Sequence, residues 1–425
     1  MSQPLPRREF LTRSLAFGAM AATTPGFLHA QAPSNEIRIG VMGMGRGRSV
    51  AQSFAKIPGV VVAYVCDTDS ERLAAGHKEI EKNTGQTATP VSDFRKMLDD
   101  KSVDILVVAA PNHWHAPAAI LGCSAGKHVY VEKPCSHNPH EGEVLVEASR
   151  KHKRAVQMGN QRRSAPGFIE AIAKIKDGAI GRPYHSRSWY SNLRPTTVLG
   201  AETTPPKTLD YELWQGPAPR APYVEGRIHY NWHWFWDWGN GELGNNGVHS
   251  IDISRWALGV DLPTKVLSAG GRYRFKDDQQ TPDTQTVTYE FGDAGSITWE
   301  GLSCNKHAKG FVHVYGEAGS MEIDESGTYR IYDKNDKVIE EKTHKRNDTE
   351  HALNLVEAIR NDKPLALNSE ILEGHRTTML CHLGNIAHRT GRTLHCDPAT
   401  GRIQDDPEAM KYWTRSYEKG WEPKA

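Results

Sequence analysis

Apolar runs of four to eight residues alternate with amphipathic stretches through the first part of the chain. Residues 37–43 form a short apolar strand that runs into a glycine-rich turn, Gly43-Met44-Gly45-Arg46-Gly47. A helical stretch at 49–56 and a β-branched strand at 60–66, ending at Asp67, follow. The alternation continues with a short helix at 93–98, a strand at 103–110, a helix at 116–125 and a strand at 128–131. The strand at 103–110 is apolar on both faces, as in a buried parallel sheet. From about residue 157 the pattern changes. A helix at 167–176 carries Phe168, Ile169, Ile172 and Ile175 at buried-face spacing, and residues 248–258, 351–360 and 371–390 are also helical. Short strands at 265–274, 284–291, 295–300, 311–315 and 328–332, separated by turns such as Gly292-Asp293-Ala294-Gly295, predict an antiparallel sheet. The predicted fold class is α/β, with a dinucleotide-binding domain over 33–157 and a second domain over 158–425. There is no internal repeat and no low-complexity segment.

The first 32 residues read as an address. Arg7-Arg8-Glu9-Phe10-Leu11 precedes a weakly apolar run at 15–28 and small residues around Ala30 and Ala32. That order of charge, apolar middle and small end is a secretory signal, and the arginine pair resembles the twin-arginine type. The run is too short and too rich in Ala, Gly and Thr for a permanent membrane span. The expected location is therefore the bacterial periplasm, with no membrane partner after export. Loss of Arg7, Arg8, Arg13 and Glu9 takes the formal charge from +1 to −1. With 52 basic against 51 acidic residues and no basic run, nucleic acid is not expected as a partner. Six cysteines, none spaced C-x-x-C, are expected to be buried thiols in a protein folded before export.

Strand, glycine turn, helix, strand, acid is the order of a dinucleotide-binding βαβ unit. Glycines admit a pyrophosphate to the backbone, and the helix start favours its charge. Asp67, placed to accept from both ribose hydroxyls, would repel a 2′-phosphate and favours NAD over NADP; Arg46, Arg48 and Arg72 temper that preference. The third glycine of G-x-G-x-x-G falls on Arg48, with Gly47 one residue early. Pro111-Asn112-His113 and Glu132-Lys133-Pro134 both follow predicted strands, at the carboxyl ends where such sheets bind ligands.

These residues, with Trp114, His115 and Val131, resemble the Gfo/Idh/MocA oxidoreductases over the whole chain after the signal. The resemblance implies an N-terminal Rossmann domain binding NAD through Gly43, Gly45, Arg46, Gly47, Asp67, Arg72, Pro111, Asn112, His115, Glu132 and Lys133. It implies a C-terminal α/β domain with a large open, mostly antiparallel sheet whose face often pairs subunits, so a homo-oligomer is expected. Lys133 matches the lysine between nicotinamide and substrate, and His249 the histidine ending the family's D-x-x-x-H motif. The Asp of that motif falls on Asn245.

The expected reaction is hydride removal from a secondary hydroxyl of a sugar or glycoside. Lys133 is assigned to polarising the substrate oxygen and His249 to proton transfer. Residues 230–238 (YNWHWFWDW) interleave aromatics with Asn, His and Asp, and are expected to form a carbohydrate-facing loop. The substrate set is Lys133, Gln161, Arg163, Trp232, His233, Trp236, Asn245 and His249, with His233 a reserve acid or base and Asn160 a further contact. Outside the cytoplasm, little free NAD is available for exchange, so the cofactor is expected to stay bound. Redox glycosidic cleavage through transient C3 oxidation is the alternative; a non-catalytic sugar-binding protein is the third reading. His113-x-His115 and His137-x-x-His140 lack further ligands at metal-site spacing, and no Gly-x-Ser-x-Gly elbow occurs.

Overall fold

The computed structural model describes residues 36–306 and 310–425; the expected export signal lies outside them. The β-branched runs become β1 (Ile37–Met42), β2 (Val60–Cys66), β3 (Thr89–Val91), β4 (Ile105–Val108), β5 (His128–Val131) and β6 (Val156–Met158). They form one parallel sheet in the order β3-β2-β1-β4-β5-β6. This is the dinucleotide-binding order, and its topological switch point lies between β1 and β4. The crossovers are α1 (Gly47–Ala55), α2 (Ser70–Thr84), α3 (Arg95–Asp99), α4 (Asn112–Ser124) and α5 (Pro139–Lys151). Asp69 caps α2 by accepting from the backbone N–H groups of Glu71 and Arg72.

After α6 (Pro166–Lys176) the chain enters a second sheet through β7 (Pro183–Leu193). The helices α7 (Tyr211–Gln215) and α8 (Val248–Leu258) come next, then β8 (Lys265–Gly271), β9 (Thr284–Glu290), β10 (Ser296–Leu302), β11 (Cys304–Asn305), β12 (Val312–Gly316), β13 (Gly319–Ile323), β14 (Tyr329–Asp333) and β15 (Val338–Lys342). The chain closes with α9 (Thr349–Arg360), α10 (Ile371–Thr390), β16 (Leu394–His395) and α11 (Pro407–Met410). The sheet runs β15-β14-β13-β12-β7-β10-β9-β8-β16, with β11 paired to β7. Only the β7–β10 pair is parallel. Inward positions such as Val287, Tyr289, Ile297, Trp299, Val312 and Val314 are sealed. Alternate residues between them stay partly exposed, so one face is covered and the other is open.

Two departures from the expected organisation have physical causes. The anticipated boundary at 157 falls inside β6, which pairs with β5 and completes the first sheet. Helix α9, far along the chain, returns to the first sheet: Ala352, Leu355 and Val356 pack in one cluster with Val50, Phe54 and Tyr130. Helix α10 is buried on nearly every side because it lies between α5 and β8. One apolar cluster thus joins Leu106 and Val131 of the first sheet to Val287 and Trp299 of the second. All six thiols are unpaired, and five of them are buried. No helix among the described residues is long and apolar enough to cross a membrane.

Trp299 is fully buried beneath α8. Trp299→Ala is expected to cost about 3–5 kcal/mol, read as a lowered midpoint in urea unfolding.

Candidate active site

The turn after β1 is shaped for a pyrophosphate. Gly43 has φ +95°, and a Cβ there would stand 2.5 Å from the Ala109 carbonyl oxygen. Gly47 opens α1, where a Cβ would lie 2.9 Å from Val41. It therefore does the helix-to-strand packing of the fingerprint's third glycine, which explains how Arg48 is tolerated. Arg48 turns outward to Glu79 at 2.5 Å. The Asp67 carboxylate accepts from Met44 N at 2.8 Å and from Asp69 N at 3.0 Å, which fixes it at the end of β2. Arg72 Nε lies 3.8 Å away.

A cleft of about 570 Å³ runs past Gly43, Gly45, Arg46, Asp67, Arg72 and Pro111. Its far wall comes from the second half of the chain: Trp214, His229, Trp232 and His233. The segment 194–240 is tied down across the cleft. Asp210 N donates to Thr68 O at 2.9 Å, Ser70 N to Thr208 O at 2.8 Å, and His229 Nε2 to Asp69 Oδ2 at 3.0 Å. From α4, Trp114 Nε1 donates to Trp214 O at 3.0 Å and His113 N to Trp238 O at 3.2 Å.

A second pocket, of about 350 Å³, is lined by Asn112, His115, Glu132, Lys133, Gln161, Trp232 and His249, together with Arg162, Asn246, Arg346 and Asp348. Arg46, Ala109 and Trp232 line it as well as the cleft. Lys133 emerges from the end of β5. His115 braces that loop, with Nδ1 2.6 Å from Pro134 O and Nε2 2.7 Å from Ala110 O. Lys133 Nζ donates to Asn245 O at 2.5 Å and to Asn245 Oδ1 at 3.0 Å. Asn245 lies in a π turn (Leu243–Gly247) that leads into α8, an irregularity common at functional sites.

Burial pushes the Lys133 ammonium down to about 8, while Glu132 and Glu242 hold it up. Glu132 Oε1 accepts from Arg46 Nε at 3.3 Å and Gln161 Nε2 at 3.2 Å. Glu242 sits almost fully buried behind Asn245. It accepts from Arg194 Nε at 3.1 Å and Ser303 Oγ at 3.3 Å, and from the Asn246 amide. The negative charge missing at Asn245 thus stands one turn earlier in the chain. His249 is held neutral: burial comes first, and Arg162, Lys133, Arg346 and Arg46 reinforce it. Its Nδ1 is sealed and has no partner among the described residues. A neutral imidazole has one acceptor nitrogen, and the ring lines the pocket.

The sequence-derived substrate set divides here. Lys133, Gln161, Trp232, Asn245 and His249 converge at this pocket, and His233 lines the adjoining cleft. His233 Nδ1 donates to Tyr230 O at 2.6 Å, and burial pushes the ring down to about 3, leaving it a neutral acceptor. Arg163 points elsewhere. Residues Gln161–Ser164 form a 3-10 turn, so neighbouring side chains diverge, and Arg163 is committed to Asp252 at 2.8 Å. Its neighbour Arg162, not singled out from the sequence, faces the pocket instead. Asn160 is buried with its amide unpartnered among the described residues. Trp236 is also displaced. It lines a separate cavity of about 290 Å³ with Asn240, Asn385 and Arg389. The expected carbohydrate-facing loop is largely core: Trp232, Trp234, Phe235 and Trp238 cluster with Leu209, Tyr211 and Trp214. No group of three or more metal-ligating side chains occurs among the described residues.

Asn112 offers a further sign of fit to a dinucleotide. Its Oδ1 is buried beside the second pocket with no partner among the described residues. Together with the Gly43 cradle and the Asp67 acid, this makes the first half of the chain a dinucleotide-binding domain that opens onto a lysine–histidine pocket. The chain belongs to the Gfo/Idh/MocA oxidoreductase family: the family model described as "Oxidoreductase family, NAD-binding Rossmann fold" matches residues 37–160, and "Oxidoreductase family, C-terminal alpha/beta domain" matches 186–423. YrbE, an oxidoreductase of Bacillus subtilis, is 24% identical over 69% of this chain and 75% of its own length. Inositol 2-dehydrogenase of Salmonella typhimurium is 30% identical over 37% of this chain, and the match spans 46% of that enzyme. Levoglucosan dehydrogenase of Pseudarthrobacter phenanthrenivorans is 28% identical over 55% of this chain and 57% of its own. Among solved structures, a levoglucosan dehydrogenase complex with NADH and levoglucosan aligns at TM-score 0.65 and 18% identity, covering 85% of this chain and 99% of that one. The aldose-aldose oxidoreductase of Caulobacter crescentus, complexed with glycerol, aligns at TM-score 0.66 and 20% identity over 85% and 99%.

Removing the charge of Glu242 takes away support for the protonated Lys133. Glu242→Gln is expected to move the alkaline limb of kcat/KM down by about one pH unit, while Glu242→Asp keeps most of the wild-type profile.

Proposed function

We propose that this chain transfers a hydride from a secondary hydroxyl of a sugar or glycoside to an NAD that stays bound. The observation that carries the reading is the meeting of Lys133 and His249 in one pocket at the mouth of the dinucleotide cleft. NAD, when held by Gly43, Gly45, Asp67, Pro111 and Asn112, supplies the hydride acceptor. Lys133, still largely protonated at neutral pH, donates to the substrate oxygen and orients it. His249, kept neutral by burial, accepts the hydroxyl proton. Trp232 and Gln161 form walls that exclude water. NAD is favoured over NADP because Asp67 occupies the end of β2 and Arg48 is drawn away to Glu79, although Arg46 and Arg72 line the cleft.

Tight retention of the cofactor is supported by the segment 194–240, whose hydrogen bonds to Thr68, Asp69, Ser70, His113 and Trp114 span the cleft. Retention suits an exported protein working in the periplasm, as the arginine pair at residues 7 and 8 suggests. It also favours a second reading, in which the hydride returns to the same sugar after its glycosidic bond is cleaved. A glycosyl hydrolase family 109 protein of Saccharopolyspora erythraea is 30% identical over 43% of this chain and 44% of its own length, which supports that alternative. The open face of the second sheet is the surface we assign to pairing with further copies of the chain.

The test mixes protein purified from its export route with sugars and glycosides, without added NAD. A stoichiometric burst of reduced-nicotinamide absorbance is expected, slowed about 10²–10⁴-fold by Lys133→Met. Released aglycone without net cofactor reduction points to the second reading, and no response to any sugar contradicts both. Wild type is expected to keep its dinucleotide through dialysis. His229→Ala, which frees one tie across the cleft, is expected to lose most of it, read by mass spectrometry of the denatured protein.

A further inference from the structure

One cation in the catalytic pocket makes no direct ion pair among the described residues. Arg46 is matched by Glu132 and Asp348, Arg346 by Asp348 at 3.0 Å, and Lys133 has Glu132 and Glu242 nearby. Arg162 lines the same pocket, is 9% exposed, and lies 4.4 Å above the Phe311 ring. Among the described residues its side chain makes neither an ion pair nor a hydrogen bond, and its Nε is sealed without an acceptor. Asp252, the buried carboxylate alongside, is taken by Arg163 at 2.8 Å. Burial and the neighbouring Arg346 push the Arg162 guanidinium down to about 10, with Glu325, Asp348 and Asp252 acting the other way without pairing to it. A buried charge of this kind is costly until an anion reaches it, and the free wall it faces is where substrate must sit.

We propose, resting on the oxidoreductase reading above, that the substrate is a sugar acid: Arg162 holds its carboxylate while Lys133 and His249 hold the hydroxyl to be oxidised. The planar guanidinium suits a carboxylate in two-point contact. A single guanidinium without a direct ion pair suits a monoanion, whereas a phosphate ester carries close to two charges at neutral pH. The same anion offsets the positive charge that NAD brings to the ring end of the cleft.

The experiment titrates NAD-loaded protein with D-glucuronate, D-galacturonate and D-gluconate, and with D-glucose and D-galactose as neutral counterparts. Binding is read from tryptophan fluorescence, since Trp232 lines the pocket, and turnover from reduced-nicotinamide absorbance. At least one acid is expected to bind about tenfold or more tightly than its neutral counterpart, with the gap narrowing as salt rises. Arg162→Gln is expected to abolish the preference and Arg162→Lys to restore part of it, both being checked for a wild-type unfolding midpoint. Neutral sugars that bind as tightly as the acids to wild type overturn the proposal and leave the oxidoreductase reading intact. Acids that bind through Arg162 yet never reduce the nucleotide overturn the oxidoreductase reading and leave the anion site standing.

Discussion

Keeping an ammonium charged inside a largely buried pocket is the constraint around which this molecule is arranged. Lys133 cannot remain protonated there unless acceptors and anions surround it. The acceptors are the backbone and side-chain oxygens of Asn245, brought within reach by the π turn that leads into α8. The anions are Glu132 on the first sheet's side and Glu242 on the second's. Each carboxylate must itself be held, which recruits Arg46 and Gln161 to one and Arg194 and Ser303 to the other. The lysine is thus assembled from both halves of the chain, and it exists in its working state only when they are packed together.

That packing joins the two sheets through shared elements. Helix α10 is common to both, α9 returns to the first, and the segment 194–240 crosses the cleft from the second to grip α2 and α4. His249 depends on the same arrangement, because its neutrality follows from burial among Arg162, Lys133, Arg346 and Arg46. The meeting of Lys133 and His249 therefore follows from closure of the two halves rather than from either one. The dinucleotide cleft is walled by the same closure.

The first sheet was legible because its strands are β-branched runs buried on both faces, and the Gly43 turn with Asp67 marked what it binds. Gly47 shows how the glycine pattern can slip by one residue while the packing it serves is kept. The central strand of the second sheet, β7, escaped notice. Its inward side chains at Ser186 and Ser188 are small and polar, and Ser186 is satisfied by donating to Ser254 Oγ at 2.8 Å. No apolar alternation announces such a strand. Lys133 and His249 were visible through local motifs, whereas Arg162 could not be told from Arg163 without the 3-10 turn that separates their directions. Arg346 and Asp348 reach the pocket through tertiary packing alone, and nothing near them in sequence signals it, whereas Glu242 stands one turn before Asn245 and supports it from behind. The aromatic run at 230–238 misled because closely spaced Trp residues serve a buried strap as readily as a sugar platform.

The central claim is that Lys133 and His249 act on a hydroxyl-bearing carbon facing the bound nicotinamide. It is tested most directly by following one hydrogen. A sugar that the protein turns over would be prepared with deuterium on the carbon bearing the reacting hydroxyl. After a single turnover the dinucleotide would be extracted and analysed by mass spectrometry and NMR. The account predicts deuterium at C4 of the nicotinamide ring. Deuterium that never enters the dinucleotide, in samples quenched before any return of the hydride to the sugar, would contradict it.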